Sequence, residues 1–74
     1  AKTVNVLHGI SPELSLHDFR VVPGPTHTNL IFDVVIPFDL KLKEDEITEK
    51  LNSAVSEWDD AKYYVVASFD RPYA

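Results

Sequence analysis

Residues 14–37 read LSLHDFRVVPGPTHTNLIFDVVIP, and this stretch decides the predicted fold. Two of its segments, Leu14–Val22 and Asn29–Ile36, are dense in Val, Ile, Leu and Phe, which favour β-strands. Pro23-Gly24-Pro25 lies between them and cannot continue a strand, because proline lacks the N–H donor and glycine turns readily. The stretch therefore predicts an antiparallel β-hairpin with a loop of about five residues.

The residues after the hairpin predict a helix followed by a third strand. Over Lys43–Trp58 the apolar residues recur at helical spacing, at Ile47, Leu51, Ala54, Val55 and Trp58. Lys62–Asp70 then has the composition of a strand. Because a strand–helix–strand unit normally makes its two strands parallel, we expect a mixed sheet of three strands.

The residues before the hairpin allow two interpretations. Ala1–Leu7 suits either an extended lead-in or the last turns of a helix whose start is missing, with Gly9 just beyond its end. The predicted class is therefore α+β, in the order (α)ββαβ, with the N-terminal helix truncated. This is a ferredoxin-like arrangement without its first strand, and residues 1–74 form one domain.

Alternation predicts which side chains share a face of the sheet. The first strand would place Leu14, Leu16, Asp18, Arg20 and Val22 on one face and Ser15, His17, Phe19 and Val21 on the other. The second would place Leu30, Phe32, Val34 and Ile36 on one face and Ile31, Asp33 and Val35 on the other. Since neither strand has a cleanly polar face, we expect helices on one face and partial cover on the second.

The composition limits which partners and which stabilising groups a chain of this size can have. The formal net charge of −5 argues against a nucleic-acid surface, which needs a basic footprint. Cysteine is absent, which excludes disulfides and thiolate metal sites. A chain of 74 residues has a marginal core, so we expect a second copy or an oxygen/nitrogen metal site to stabilise it. No apolar run is long enough to span a bilayer, and no signal-peptide pattern opens the sequence.

Three polar residues within the apolar strands are the candidate site. If Val22 pairs with Thr28, His17 lies opposite Asp33, and a parallel third strand brings Asp70 to the same end of the sheet. One imidazole and two carboxylates suit Zn²⁺, Mn²⁺ or Fe²⁺. The same His–Asp pair also fits an ordinary hydrogen-bonded ion pair. Enzymatic activity is not expected, because the sequence lacks a glycine-rich phosphate loop, a GxSxG elbow and an HExxH motif.

The run HDFRVVPGPTHTNLIFDVVIP, the acidic start of the helix and the closing FDRPYA resemble the C-terminal cytoplasmic domain of cation diffusion facilitator transporters. The resemblance covers roughly Leu14 to Tyr73. It implies a metallochaperone-like αββαβ fold that forms a homodimer on the cytoplasmic side of the inner membrane. It also implies that divalent metal, most often Zn²⁺, binds near the dimer interface and regulates a membrane portion that lies outside this sequence.

The resemblance also assigns residues. His17 matches the metal-binding histidine of the family's HDL/FR motif, Asp33 falls where many members have a second histidine, and Asp70 matches an aspartate near the end of the last strand. Ser68 stands where many members have a further histidine, so we expect weaker binding or a preference for a harder metal. Two alternatives stay open: a dimerisation module that has lost its metal site, and a free-standing domain that binds a small molecule or hydrolyses an acyl phosphate.

Overall fold

The structure is a computed structural model that describes residues 2–72. The elements follow the order α1 (Lys2–Ile10), β1 (Ser15–Pro23), β2 (Thr28–Val35), α2 (Glu44–Val55) and β3 (Tyr63–Asp70). The strands form one sheet in the order β1-β2-β3, in which β1 and β2 are antiparallel and β2 and β3 are parallel. The predicted α+β class, the element order and the mixed three-stranded sheet are confirmed, and the ambiguous N-terminal segment is a helix.

The core lies between the two helices and one face of the sheet. The central strand β2 is buried at every second residue, which is the pattern of a strand covered on one side. The buried apolar side chains are Leu7, Leu14, Leu30, Phe32, Val34, Ile36, Ile47, Leu51, Val55 and Val65. Central strand β2 supplies three of these side chains, Leu30, Phe32 and Val34. Helix α2 lies nearest to β3 and α1 lies nearest to β1, so the two helices flank the side chains of β2.

The helix boundaries differ from the predicted ones. Gly9 lies inside α1, which continues to Ile10, and no glycine among the described residues has a positive φ. Helix α2 ends at Val55, three residues before Trp58, which was its predicted end. The N–H groups of Glu57 and Trp58 bond to carbonyls only three residues back, so the chain tightens and turns out of the helix there.

Trp58 still packs against the core after leaving α2. Its indole meets the Tyr63 ring edge-on, with the ring centroids 5.2 Å apart, and the Lys2 ammonium lies 5.1 Å from the centroid of the Trp58 ring. The Tyr63 hydroxyl donates a hydrogen bond of 2.8 Å to Asp60. This bond lowers the pKa of the Asp60 carboxyl and raises the pKa of the Tyr63 hydroxyl.

Replacing Tyr63 with Phe keeps the ring and removes the bond, so it should change how stability depends on pH. The contribution of Asp60 is present above its unfolded pKa and is lost as pH falls through its lowered folded pKa. The contribution of Tyr63 is present below its unfolded pKa and is lost as pH rises through its raised folded pKa. The difference in denaturation midpoint between wild type and Tyr63→Phe should therefore be greatest between about pH 5 and pH 9 and shrink at both extremes.

The neighbouring Tyr64 provides the control for this measurement. Tyr64 is exposed and packs edge-on with the His27 ring, away from Asp60. For Tyr64→Phe we expect the difference in denaturation midpoint from wild type to stay the same across this pH range. It should lack the decrease at both pH extremes that is expected for Tyr63→Phe. A flat difference curve for Tyr63→Phe would contradict the prediction.

Among residues 2–72, no helix has the length and apolar character needed to cross a membrane.

Candidate functional site

The hairpin register differs from the predicted one by one residue at its turn. Pro23 pairs with Thr28 and Val22 with Asn29, whereas the prediction paired Val22 with Thr28. The Gly24 N–H bonds to the His27 carbonyl at 2.8 Å and closes the loop. A Cβ on Gly24 would lie 2.9 Å from that carbonyl oxygen, so the close approach of the two backbones requires glycine here.

A β-bulge in β1 shifts the register again between His17 and Arg20. Asp18 has φ 53° and is the only non-glycine residue of the described chain in the left-handed region. Aspartate tolerates this conformation better than most residues. The extra residue restores the predicted partner on the far side of the bulge, so His17 pairs with Asp33.

Because of the bulge, the faces predicted for Phe19, Arg20 and Val21 of β1 are wrong. Val21 pairs with Leu30, and the Phe19 ring packs on the Phe32 ring with their centroids 5.9 Å apart, so both residues lie on the helix side of the sheet. Arg20 instead joins His17 on the opposite side. The strict alternation predicted from sequence placed these residues the other way, because it allowed no extra residue in the strand.

The face of the sheet that the helices do not cover, which we call the open face, follows from the two registers. Its positions are Ser15, His17, Arg20 and Val22 of β1, Asn29, Ile31, Asp33 and Val35 of β2, and Tyr64, Val66, Ser68 and Asp70 of β3. The half near the hairpin turn is mainly apolar, and the other half is mainly polar. The predicted site residues all lie in the polar half.

Within the polar half, His17, Asp33 and Ser68 form one row across the three strands. Asp70 lies in the next row, beside Val35, and is therefore diagonal to Asp33. Strand spacing and rise place the Cα atoms of such a diagonal pair roughly 8 Å apart. His17 and Asp70 are exposed and Asp33 is half-buried.

An open cavity of about 570 Å³ unites these residues. It is lined by His17, Asp18, Asp33, Val35, Ser68, Phe69 and Asp70. Its acidic groups are three carboxylates, and its one imidazole bonds to Ser15, with 3.3 Å between His17 Nε2 and Ser15 Oγ. This donor set suits a borderline-to-hard divalent cation.

Asp18 is the member of this set that the sequence interpretation missed. Alternation places it on the face opposite His17, whereas the bulge brings it to the wall of the same cavity. The available signal was an aspartate, which tolerates positive φ, directly after the candidate histidine. That signal is weak, because most aspartates in strands do not mark bulges.

The side chains do not converge on a single point. Within residues 2–72, no three His, Cys, Asp or Glu side chains are close enough together to hold one metal ion. The cavity thus gathers suitable donors on one rim, but they do not form a closed coordination shell in this conformation.

A second cavity, of about 350 Å³, lies on the helix side at the end of α2. Its lining is mainly aromatic and apolar, with Trp58, Tyr63 and Lys62 among its residues. None of His17, Asp33 and Asp70 lines it. The predicted residues therefore belong to the cavity of the open face alone.

No family model matches this sequence, and neither a curated protein nor a solved structure is significantly similar to it.

Proposed function

We propose that this chain is the cytoplasmic regulatory domain of a divalent-cation efflux transporter. In this proposal the domain forms a homodimer, binds a divalent cation at His17, Asp33 and Asp70, and regulates transport by a membrane domain covalently continuous with it. It performs no reaction itself. The observation that carries the proposal is that one imidazole and several carboxylates line a single cavity on the open face.

The donor chemistry supports a divalent cation rather than an anion. Three carboxylates around one cavity disfavour phosphate or another anion through like-charge repulsion. A single imidazole with carboxylates is a set that Zn²⁺, Mn²⁺ and Fe²⁺ accept. The fit is to the donor types, and ligation would require the side chains to turn toward one another.

The apolar half of the open face supports dimerisation. Val22, Tyr64 and Val66 are each about half exposed there, at 45%, 52% and 47%. Large apolar side chains grouped on one face are typical of a surface that meets another protein. A second copy would also supply the cover that a domain of this size lacks.

A structural dimerisation module without a metal site is the second candidate. It is favoured by the spread of the donors, since no three of them meet among residues 2–72. Ser68 also occupies the place beside Asp33 where a stronger donor would complete the row. In this candidate function the chain still forms a dimer but binds no cation.

Titration calorimetry with ZnCl₂ and MnCl₂, combined with sedimentation velocity, tests both candidates. We expect saturable heat with at least one of the two salts and a dimer in solution. A dimer that gives no heat with either salt would favour the structural module. A strict monomer, with and without metal, would contradict both.

A further inference from the structure

Arg71, the residue directly after β3, is tied to a distant part of the chain. Its Nη1 and Nη2 donate hydrogen bonds of 2.6 Å each to the carbonyls of Leu40 and Leu42. These carbonyls belong to the connection between β2 and α2. A guanidinium is always charged and presents its N–H groups as a fixed fork, so it can hold both carbonyls at once.

The same connection meets the residue before Arg71. The Ile36 N–H donates a 2.8 Å hydrogen bond to the Asp70 carbonyl, which extends the parallel ladder by one step beyond Val35 and Asp70. The backbone of Asp70 is thus held by Ile36, the first residue after β2, and Arg71 is held further along the same connection. Both contacts fall where β3 ends.

The end of an edge strand is a place where order is usually lost. Asp70 is the last residue of β3, and β3 is at the edge of the sheet. Strand ends open locally at little cost unless something ties them down. A carboxylate that must meet a cation in a fixed place therefore needs such a tie more than one in a central strand such as Asp33.

We propose that Arg71 is a positioning residue for Asp70. By clamping Leu40 and Leu42, it holds the end of β3 against β2 and keeps the Asp70 carboxylate at the rim of the open-face cavity. The inference rests on the proposed cation site. It also links that site to the connection that precedes α2, so cation binding and order in the connection favour each other.

The test compares Arg71→Ala and Arg71→Lys with Tyr63→Phe, which removes a hydrogen bond at the opposite end of β3. Two quantities are measured: hydrogen exchange of the Ile36 amide without metal, and the ZnCl₂ dissociation constant. For Arg71→Ala we expect Ile36 exchange to rise roughly five- to tenfold and the dissociation constant to rise about tenfold. Arg71→Lys should recover part of both effects, because an ammonium reaches only one carbonyl at a time.

Tyr63→Phe should leave both quantities at their wild-type values, which separates positioning from a general loss of stability. An Ile36 exchange rate unchanged in Arg71→Ala overturns the inference, whatever the cation result. Faster exchange with unchanged Zn²⁺ affinity overturns it too, because Arg71 would then be a structural clamp only. A wild-type chain that gives no heat with ZnCl₂ or MnCl₂ defeats the proposed function and the cation-binding part of this inference, while exchange at Ile36 still reports whether Arg71 holds Asp70.

Discussion

Replacing Phe32 with Ala should lower the free energy of unfolding by about 3–5 kcal/mol. Phe32 lies in the central strand, is 1% exposed and packs on the Phe19 ring. Its removal forfeits the burial of an aromatic side chain and leaves a cavity between the sheet and the helices. A chain of 74 residues has only roughly 4–11 kcal/mol to lose, so the variant should unfold at a much lower urea concentration than wild type.

Urea denaturation followed by far-UV circular dichroism measures this effect, and Phe38→Ala is the matched control. Phe38 is the same residue type but is 57% exposed, outside the core. Its replacement should change the free energy of unfolding by no more than about 0.5 kcal/mol. Equal losses for the two variants would mean that the core is not organised around β2 as described.

The core was predictable because the sequence patterns that define it still hold when the end of a helix or strand is misplaced by a few residues. Alternation places Leu30, Phe32 and Val34 of β2 on the core side, and helical spacing does the same for the buried residues of α2. The parallel pairing of β3 with β2 follows from a helix lying between two strands. A boundary that is wrong by three residues, as at Trp58, leaves these relations intact, because Trp58 still packs on the core from outside the helix.

The site was predicted less securely, although His17 and Asp33 do pair. Counting from the observed Pro23–Thr28 pair without a bulge would have placed Val34 opposite His17. The predicted register at the turn was one residue off, and the bulge at Asp18 offsets that difference. Alternation cannot reveal such a bulge, because it assumes one residue of β1 for each residue of β2, whereas the bulge places two residues of β1 opposite Phe32.

Removing the imidazole should have the largest effect on cation binding. His17→Ala deletes the only nitrogen donor among the site residues that line the open-face cavity, and only carboxylates and Ser68 remain as side-chain donors there. Loss of a residue that merely orients a ligand costs about 10–100-fold in metal affinity, so loss of the ligand itself should cost at least about 100-fold for Zn²⁺. The loss for Mn²⁺, which prefers oxygen donors, should be smaller.

Calorimetry with ZnCl₂ and MnCl₂ on wild type, His17→Ala and His27→Ala tests this directly. His27 is a histidine of the hairpin loop that packs on Tyr64, outside the cavity, so His27→Ala should bind both cations like wild type. Sedimentation should give the same oligomeric state for His17→Ala and wild type in the absence of metal, because the apolar half of the open face is unchanged.

The competing interpretation of His17 predicts a different result. The structure gives the His17 ring a bond to Ser15 and none to Asp33, so the ion pair expected as the alternative is not formed. If His17 is only a surface side chain, His17→Ala changes the free energy of unfolding by about 0–1 kcal/mol and leaves any cation affinity as it was. Asp33→Asn, which keeps the shape of the side chain and removes its charge, should then also leave the affinity unchanged. For a cation site, both variants must lose affinity, and His17→Ala must lose relatively more of it for Zn²⁺ than for Mn²⁺. Wild-type affinity in either variant would remove that residue from the proposed site.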